Sequence, residues 1–139
     1  MSNEASAEKS IRPGLSAEIE FTVTETETAV HLGSGSIAVY ATPALVALME
    51  NAAVHALEEH LPDGKTTVGG QIDVRHLAAT PVEMKVRANA ELLEVQGHKL
   101  IFSIQAWDEV EQIGEASHVR YIVDEDKFMA KVEMKMKLQ

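Results

Sequence analysis

The sequence predicts an α+β fold in which an antiparallel β-sheet wraps around one long central helix. Three observations predict it. One apolar stretch, Ala44 to Val54, is interrupted only by Glu50 and Asn51. Segments in which apolar and polar residues alternate stand on both sides of it, one before and four after. Turn signals separate the later segments: Pro62-Asp63-Gly64, Gln96-Gly97 and Asp108 to Glu111.

Each element has its own signal. Met1 to Pro13 has almost nothing to bury and reads as a flexible N-terminal tail, which leaves 14–139 as the folded domain. In Ala17 to Val30, Ile19, Phe21 and Val23 oppose Glu18, Glu20, Thr22 and Thr24, as in a half-buried strand. The Thr-Glu repeat that follows suits an exposed strand edge. His31 to Ser36, with Gly33 and Gly35, is a loop. Thr42-Pro43 is a helix start, with the threonine able to cap and the proline tolerated in the first turn. Apolar residues on every side of the helix imply enclosure by the rest of the fold. It ends near His60-Leu61, at a length of about 27 Å. Val68, Ile72, Val74 and His76 then share one parity, and Val82 to Leu92 alternates cleanly. Leu100, Phe102, Ile104 and Ala106 mark the next strand, and Ile113 to Val123 alternates less well. Asp124 to Lys137 reads as a short helix docking through Phe128, Met129 and Val132. One strand, one helix and four strands in meander order make the hotdog arrangement, whose open strand edges favour a homodimer.

Composition narrows the function. At 139 residues the chain is one domain with a full core. The absence of cysteine excludes disulfides, thiolate nucleophiles and thiolate-held metals. Twelve basic against 22 acidic residues give a formal charge of −10, which disfavours nucleic acid. Met1 to Ser10 lacks the apolar run of a signal peptide, and no stretch approaches the roughly 20 apolar residues of a membrane span. A cytoplasmic protein with no membrane or nucleic-acid partner is expected.

Few residues break the pattern. Glu50 lies within the apolar helix, where an unpaired charge costs several kcal/mol. It either marks the polar stripe of that helix or serves as a base or nucleophile in a pocket. His76 sits on an apolar strand parity, as a bonded core residue or a proton carrier. Thr42 stands about 12 Å along the helix from Glu50, too far for a direct bond in a straight helix. Gly69-Gly70 permits close approach of a ligand or a bulge. His55 and Glu59 have i,i+4 spacing but no third metal ligand, and are read as a solvated helix end. Phosphate loops, nucleophile elbows and metalloprotease motifs are absent from the sequence, and no cofactor is expected.

The segments Val39-Tyr-Ala-Thr-Pro-Ala-Leu-Val-Ala-Leu-Met-Glu-Asn-Ala52 and Val74-Arg-His-Leu-Ala-Ala-Thr-Pro81 resemble the fluoroacetyl-CoA thioesterase-like branch of the hotdog thioesterases. The resemblance continues through Val86 to Val95, Gln112-Ile113-Gly114 and Lys127 to Val132, covering about residues 17–133. It implies an acyl-CoA thioesterase whose catalytic set falls on Thr42, Glu50 and His76, with the family's glycine at Gly69. Gly69 and Gly70 are the expected substrate-binding positions. Glu50 would be base or nucleophile, His76 would supply or relay a proton, and Thr42 would orient substrate or water. The His31 to Ala38 segment is short and lacks phenylalanine, where the fluoroacetyl-selective branch carries a longer aromatic-containing lid. The resemblance therefore implies thioester hydrolysis but not fluoroacetyl selectivity; a small or medium acyl group is expected, with its identity open. Arg75, Lys85, Arg87, Lys99 and Arg120 are the strand cations available to CoA phosphates. The same pocket also admits an acyl-CoA hydratase or dehydratase, or a non-catalytic acyl-CoA sensor.

Overall fold

The computed structural model describes residues 11–139. The first ten residues, most of the segment read as a tail, lie outside the described residues. Ile11 already packs against the core, and the Gly14 N–H donates to the Leu92 carbonyl at 2.8 Å.

Strand β1 (Ser16–Thr22) is followed by a 3₁₀ turn (Glu25–Glu27) and a short helix, α1 (Ala29–Leu32). The long helix α2 (Thr42–Leu57) comes next, then β2 (Lys65–His76), β3 (Lys85–Gln96), β4 (Lys99–Asp108) and β5 (Gln112–Asp124). A C-terminal helix, α3 (Glu125–Lys137), completes the described chain.

The first strand is shorter than its alternation predicts. Thr24 caps the 3₁₀ turn and Glu27 reaches back to the Thr24 N–H, while the Thr28 side chain accepts from the His31 N–H to start α1. These side chains offer the backbone local partners in place of the sheet.

The five strands form one antiparallel sheet in the order β1-β3-β4-β5-β2. The expected meander holds only for β3 to β5. Strand β2 crosses to the far edge and pairs with β5, with His76 opposite Gly114. The core lies between α2 and the concave sheet face, built from Leu45, Met49 and Leu57 against Leu92, Phe102 and Ile104.

Helix α2 rests chiefly on β1 and β3, so it covers only part of that face. It is consequently not enclosed all round, as its composition suggested: Ala47, Asn51 and Val54 are exposed on the side that also bears Glu50. Helix α3 forms, but it does not dock. Phe128, Met129 and Val132 stay 37%, 46% and 42% exposed, and no residue of the helix is buried.

A β-bulge between Gly69 and Gln71 shifts the register of β2 against β5. The extra residue reverses the side-chain alternation. Ile72, Val74 and His76 therefore share the inner face with Gly69 and Thr67, whereas Val68 pairs with Tyr121 on the outer face, contrary to the simple parity reading.

Candidate active site

Two groups of polar side chains lie on the uncovered part of the inner face. The first joins the start of α2 to the end of β2. Ala41, with no side-chain bond, occupies the N-cap of α2, and Thr42 is the first helical residue. The expected capping role for Thr42 is thus not observed; its hydroxyl is spent elsewhere. Thr42 Oγ1 lies 2.8 Å from His76 Nδ1. The other ring nitrogen, Nε2, is buried and has no hydrogen-bond partner among the described residues. Burial holds the His76 imidazole below the ordinary histidine range, outweighing a backbone contact with Ala78. A neutral ring 2.8 Å from a hydroxyl is a proton acceptor placed beside a potential nucleophile. A cavity of about 380 Å³ opens here, lined by Thr42, His76, Ala29, Ser34, Val39 and Ala78 among others.

The second group surrounds Glu50. Its Oε2 lies 3.4 Å from Arg120 Nη1 and 3.9 Å from His118 Nε2. Arg120 is 7% exposed and anchored on β2, where its Nε donates to Thr67 Oγ1 at 2.9 Å and its Nη2 to the Thr67 carbonyl at 3.1 Å. Nη1 also faces His118 Nε2 at 3.3 Å. His118 is 1% exposed, and its Nδ1 sits 2.8 Å from the Gln71 carbonyl, which can only accept. That contact fixes the tautomer: Nδ1 carries the proton and Nε2 is the acceptor. Burial lowers the His118 pKa below its usual value; the Gln71 carbonyl and Glu50 oppose this, and Arg120 adds to it. Burial likewise lowers Arg120, against the pull of Glu50.

Gly69 makes this arrangement possible. A Cβ there would lie 2.7 Å from Glu50 Oε2 and 3.2 Å from Arg120 Nη1. Gly70 has a different neighbour, since its Cβ would meet the Tyr121 ring at 2.5 Å, away from the Glu50 group.

Thr42 and His76 are thus in contact, and Glu50 and Gly69 are in contact. The hydrogen bond and ion pair of Glu50 run to Arg120, with His118 Nε2 as its next polar neighbour, not to Thr42 or His76. His55 faces Glu58, at 3.7 Å, rather than Glu59. Sequence reasoning missed His118 and Thr67. A signal existed for His118: it and Arg120 share the parity of Ala116 and Ile122, so two polar residues stand on the core face of β5. Arg120 needs correcting as a candidate for CoA phosphates, because its guanidinium is buried and held by Thr67 and Glu50. Three other strand cations have acidic neighbours: Arg75 near Glu115 at 3.8 Å, Lys85 near Glu20 at 3.9 Å, and Arg87 near Glu18 at 3.5 Å.

A sequence model of the fluoroacetyl-CoA-specific thioesterase family matches residues 23–126, a span that contains Thr42, Glu50, Thr67, Gly69, His76, His118 and Arg120. The chain belongs to that family. A fluoroacetyl-CoA thioesterase of Streptantibioticus cattleyicolor is 41% identical over 97 residues, 70% of each chain. A crystal structure of the fluoroacetyl-CoA thioesterase FlK superposes with a TM-score of 0.85 at 36% identity, covering 90% of this chain and 97% of the other. A thioesterase superfamily member from Thermus thermophilus gives 0.84 at 25% identity, over 93% and 98%. The hotdog architecture read from the sequence is the fold of this family. Among the described residues no helix is long and apolar enough to cross a membrane.

Proposed function

We propose that this protein hydrolyses the thioester of a small or medium acyl-CoA, using Thr42, Glu50 and His76, in a cytoplasmic homodimer. Family membership makes the chain a thioester hydrolase. It favours this reading over a hydratase or a non-catalytic sensor. A solved relative was captured with fluoroacetate and CoA, which supports an acyl-CoA as the substrate here.

The observation that carries the reading is the Thr42–His76 contact beside a cavity, with the second ring nitrogen buried and unpartnered among the described residues. The acyl carbonyl would lie at the start of α2. Pro43 has no N–H, which leaves the amides of Thr42 and Ala44 to polarise it with the helix dipole. Glu50 takes a proton from the attacking water, or attacks directly and is then released by water. The carbon–sulfur bond breaks and His76 relays a proton to the CoA thiolate: one ring nitrogen gives up its proton as the other is replenished from the Thr42 hydroxyl. That hydroxyl recovers through water the proton lost by the hydrolytic water, and Thr42 also orients the reacting group. Gly69 gives the substrate and Glu50 close access to the β2 backbone, with Gly70 as the adjoining bulge residue. The 2.8 Å contact also supports a second reading, in which His76 takes the Thr42 proton and the threonine oxygen attacks.

The exposed face of α2 and the unpaired edge of β2 support assembly with a second copy, since a free strand edge and an apolar helix face are both covered by a two-fold partner. Thiol release measured across short, branched, aromatic and long acyl-CoAs tests the activity, with light scattering on the same sample. Absence of thiol release from all of them would contradict the reading. Single-turnover hydrolysis in ¹⁸O-water then separates the routes: label in Glu50 marks direct attack, label in the product acid alone marks water activation, and an acyl group trapped on Thr42 marks the second reading.

A further inference from the structure

We propose that His118 is a positioning residue for Glu50, acting through Arg120: its Nε2 accepts from Arg120 Nη1 and so aims that nitrogen at Glu50 Oε2. This rests on the reading of Glu50 as the reacting carboxylate.

A guanidinium on a long side chain swings freely unless its donors are engaged. Here Nε and Nη2 are both tied to Thr67, by its hydroxyl and its carbonyl. Nη1 is left with two hydrogens and two neighbours, Glu50 Oε2 at 3.4 Å and His118 Nε2 at 3.3 Å. His118 is itself immobilised. Its Nδ1 donates to the Gln71 carbonyl at the bulge, and its ring lies 6.1 Å from that of Phe102. The bulge therefore fixes the imidazole, the imidazole fixes Nη1, and Nη1 fixes Oε2. All the polar contacts described for Glu50 run to Oε2, which leaves Oε1 for a water or an acyl carbon.

The groups facing His118 are Arg120 from its own strand, Glu50 from α2, the Gln71 carbonyl from β2 and the Phe102 ring from β4. Protonation of Nε2 would end its role as acceptor and turn it into a competing donor to Glu50. Burial opposes that protonation and preserves the neutral form.

Two substitutions separate positioning from packing. Glutamine can place an amide oxygen near Nε2 and keep the acceptor for Arg120. Asparagine reaches only to the level of Nδ1; it keeps the bond to Gln71 and loses the acceptor. kcat and KM are measured by thiol release for wild type, His118→Gln, His118→Asn, Glu50→Gln and the Glu50→Gln/His118→Asn double variant, with circular dichroism on each. The expected result is His118→Gln within about threefold of wild type and His118→Asn down about 10–100-fold in kcat with little change in KM, since displacement of a reacting group by about 1 Å has effects of that order. The double variant should be no slower than Glu50→Gln alone, because the two act as one unit. Thr67→Val, which removes the hydroxyl anchor of the same guanidinium, should show the same non-additivity and serves if His118→Asn does not fold. Wild-type kcat in folded His118→Asn with an impaired Glu50→Gln, or losses that multiply in the double variant, would overturn the positioning role alone. Wild-type kcat in Glu50→Gln would overturn the reading of Glu50, and this role with it.

Discussion

Gly69→Ala adds one methyl group at the most crowded point of the Glu50 site. The new Cβ would sit 2.7 Å from Glu50 Oε2 and 3.2 Å from Arg120 Nη1. The first distance falls short of ordinary van der Waals contact by about 0.7 Å. Arg120 cannot yield easily, because its Nε and Nη2 are held by Thr67. The carboxylate must move, and the 3.4 Å contact with Nη1 breaks. A shift of this size at the carboxylate proposed to react predicts a loss in kcat of about 10–100-fold. Stability should change little. Gly69 does not have a positive φ, so alanine is tolerated by the backbone, and the reduced freedom of the unfolded chain contributes about 0.4–1 kcal/mol in its favour. The atom displaced is the end of a flexible, half-exposed side chain. Thermal unfolding and thiol release on one preparation read both quantities. A Tm within about 5 °C of wild type together with the kinetic loss is the expected pair. Wild-type kcat in the folded variant would refute the argument that this gap places the carboxylate.

His76→Asn should keep the fold and lose about 10²–10⁴-fold in rate, the usual contribution of a positioned acid or base, read by thiol release. Stability should also depend on pH in a definite direction. His76 and His118 are both held below the ordinary value of 6.5 by burial. The unfolded chain therefore takes up protons first as pH falls, so stability is level above about pH 7 and declines through 6.5 towards the folded-state values. Tm followed from about pH 7.5 to about pH 5 checks this, and His118→Gln should flatten the decline; a Tm indifferent to pH would contradict it. Gly114→Ala would place a Cβ 2.9 Å from Leu45 Cδ2 and from Met49 Cε, beneath α2. Overpacking of this kind costs about 1–3 kcal/mol, measured by urea unfolding.

Much of the fold was legible because its signals are local. The Leu100, Phe102, Ile104, Ala106 alternation emerges as the fully buried face of β4, and the apolar run after Thr42-Pro43 as α2. The departures come from features that alternation cannot encode. Thr24, Glu27 and Thr28 turn a β-like run into caps, visible only once their side chains find backbone partners. The bulge beside Gly69 reverses the parity of Val68. The crossing of β2 to the far edge is a long-range choice, set by what the sheet must wrap.

The site was legible unevenly. Thr42, Glu50, His76 and Gly69 stood out by motif and by breaking an apolar pattern. His118 did not, although it shares the core parity of β5 with Arg120, because a histidine on such a parity is often an ordinary core contact. Arg120 was grouped with exposed cations because charge alone does not reveal burial. The same ion pair changes what is expected of Glu50. An unpaired carboxylate in an apolar helix would make Glu50→Gln stabilising, but Arg120 offsets its desolvation, and removing the charge leaves the buried Arg120 without its counter-ion.

The most direct test of the account is thiol release by Glu50→Gln, with Tm measured on the same sample. The substitution keeps the shape of the side chain and removes the carboxylate's charge. The expected result is a folded protein, no more stable than wild type, that has lost most of its thioester hydrolysis. Unimpaired turnover in the folded variant would contradict the mechanism.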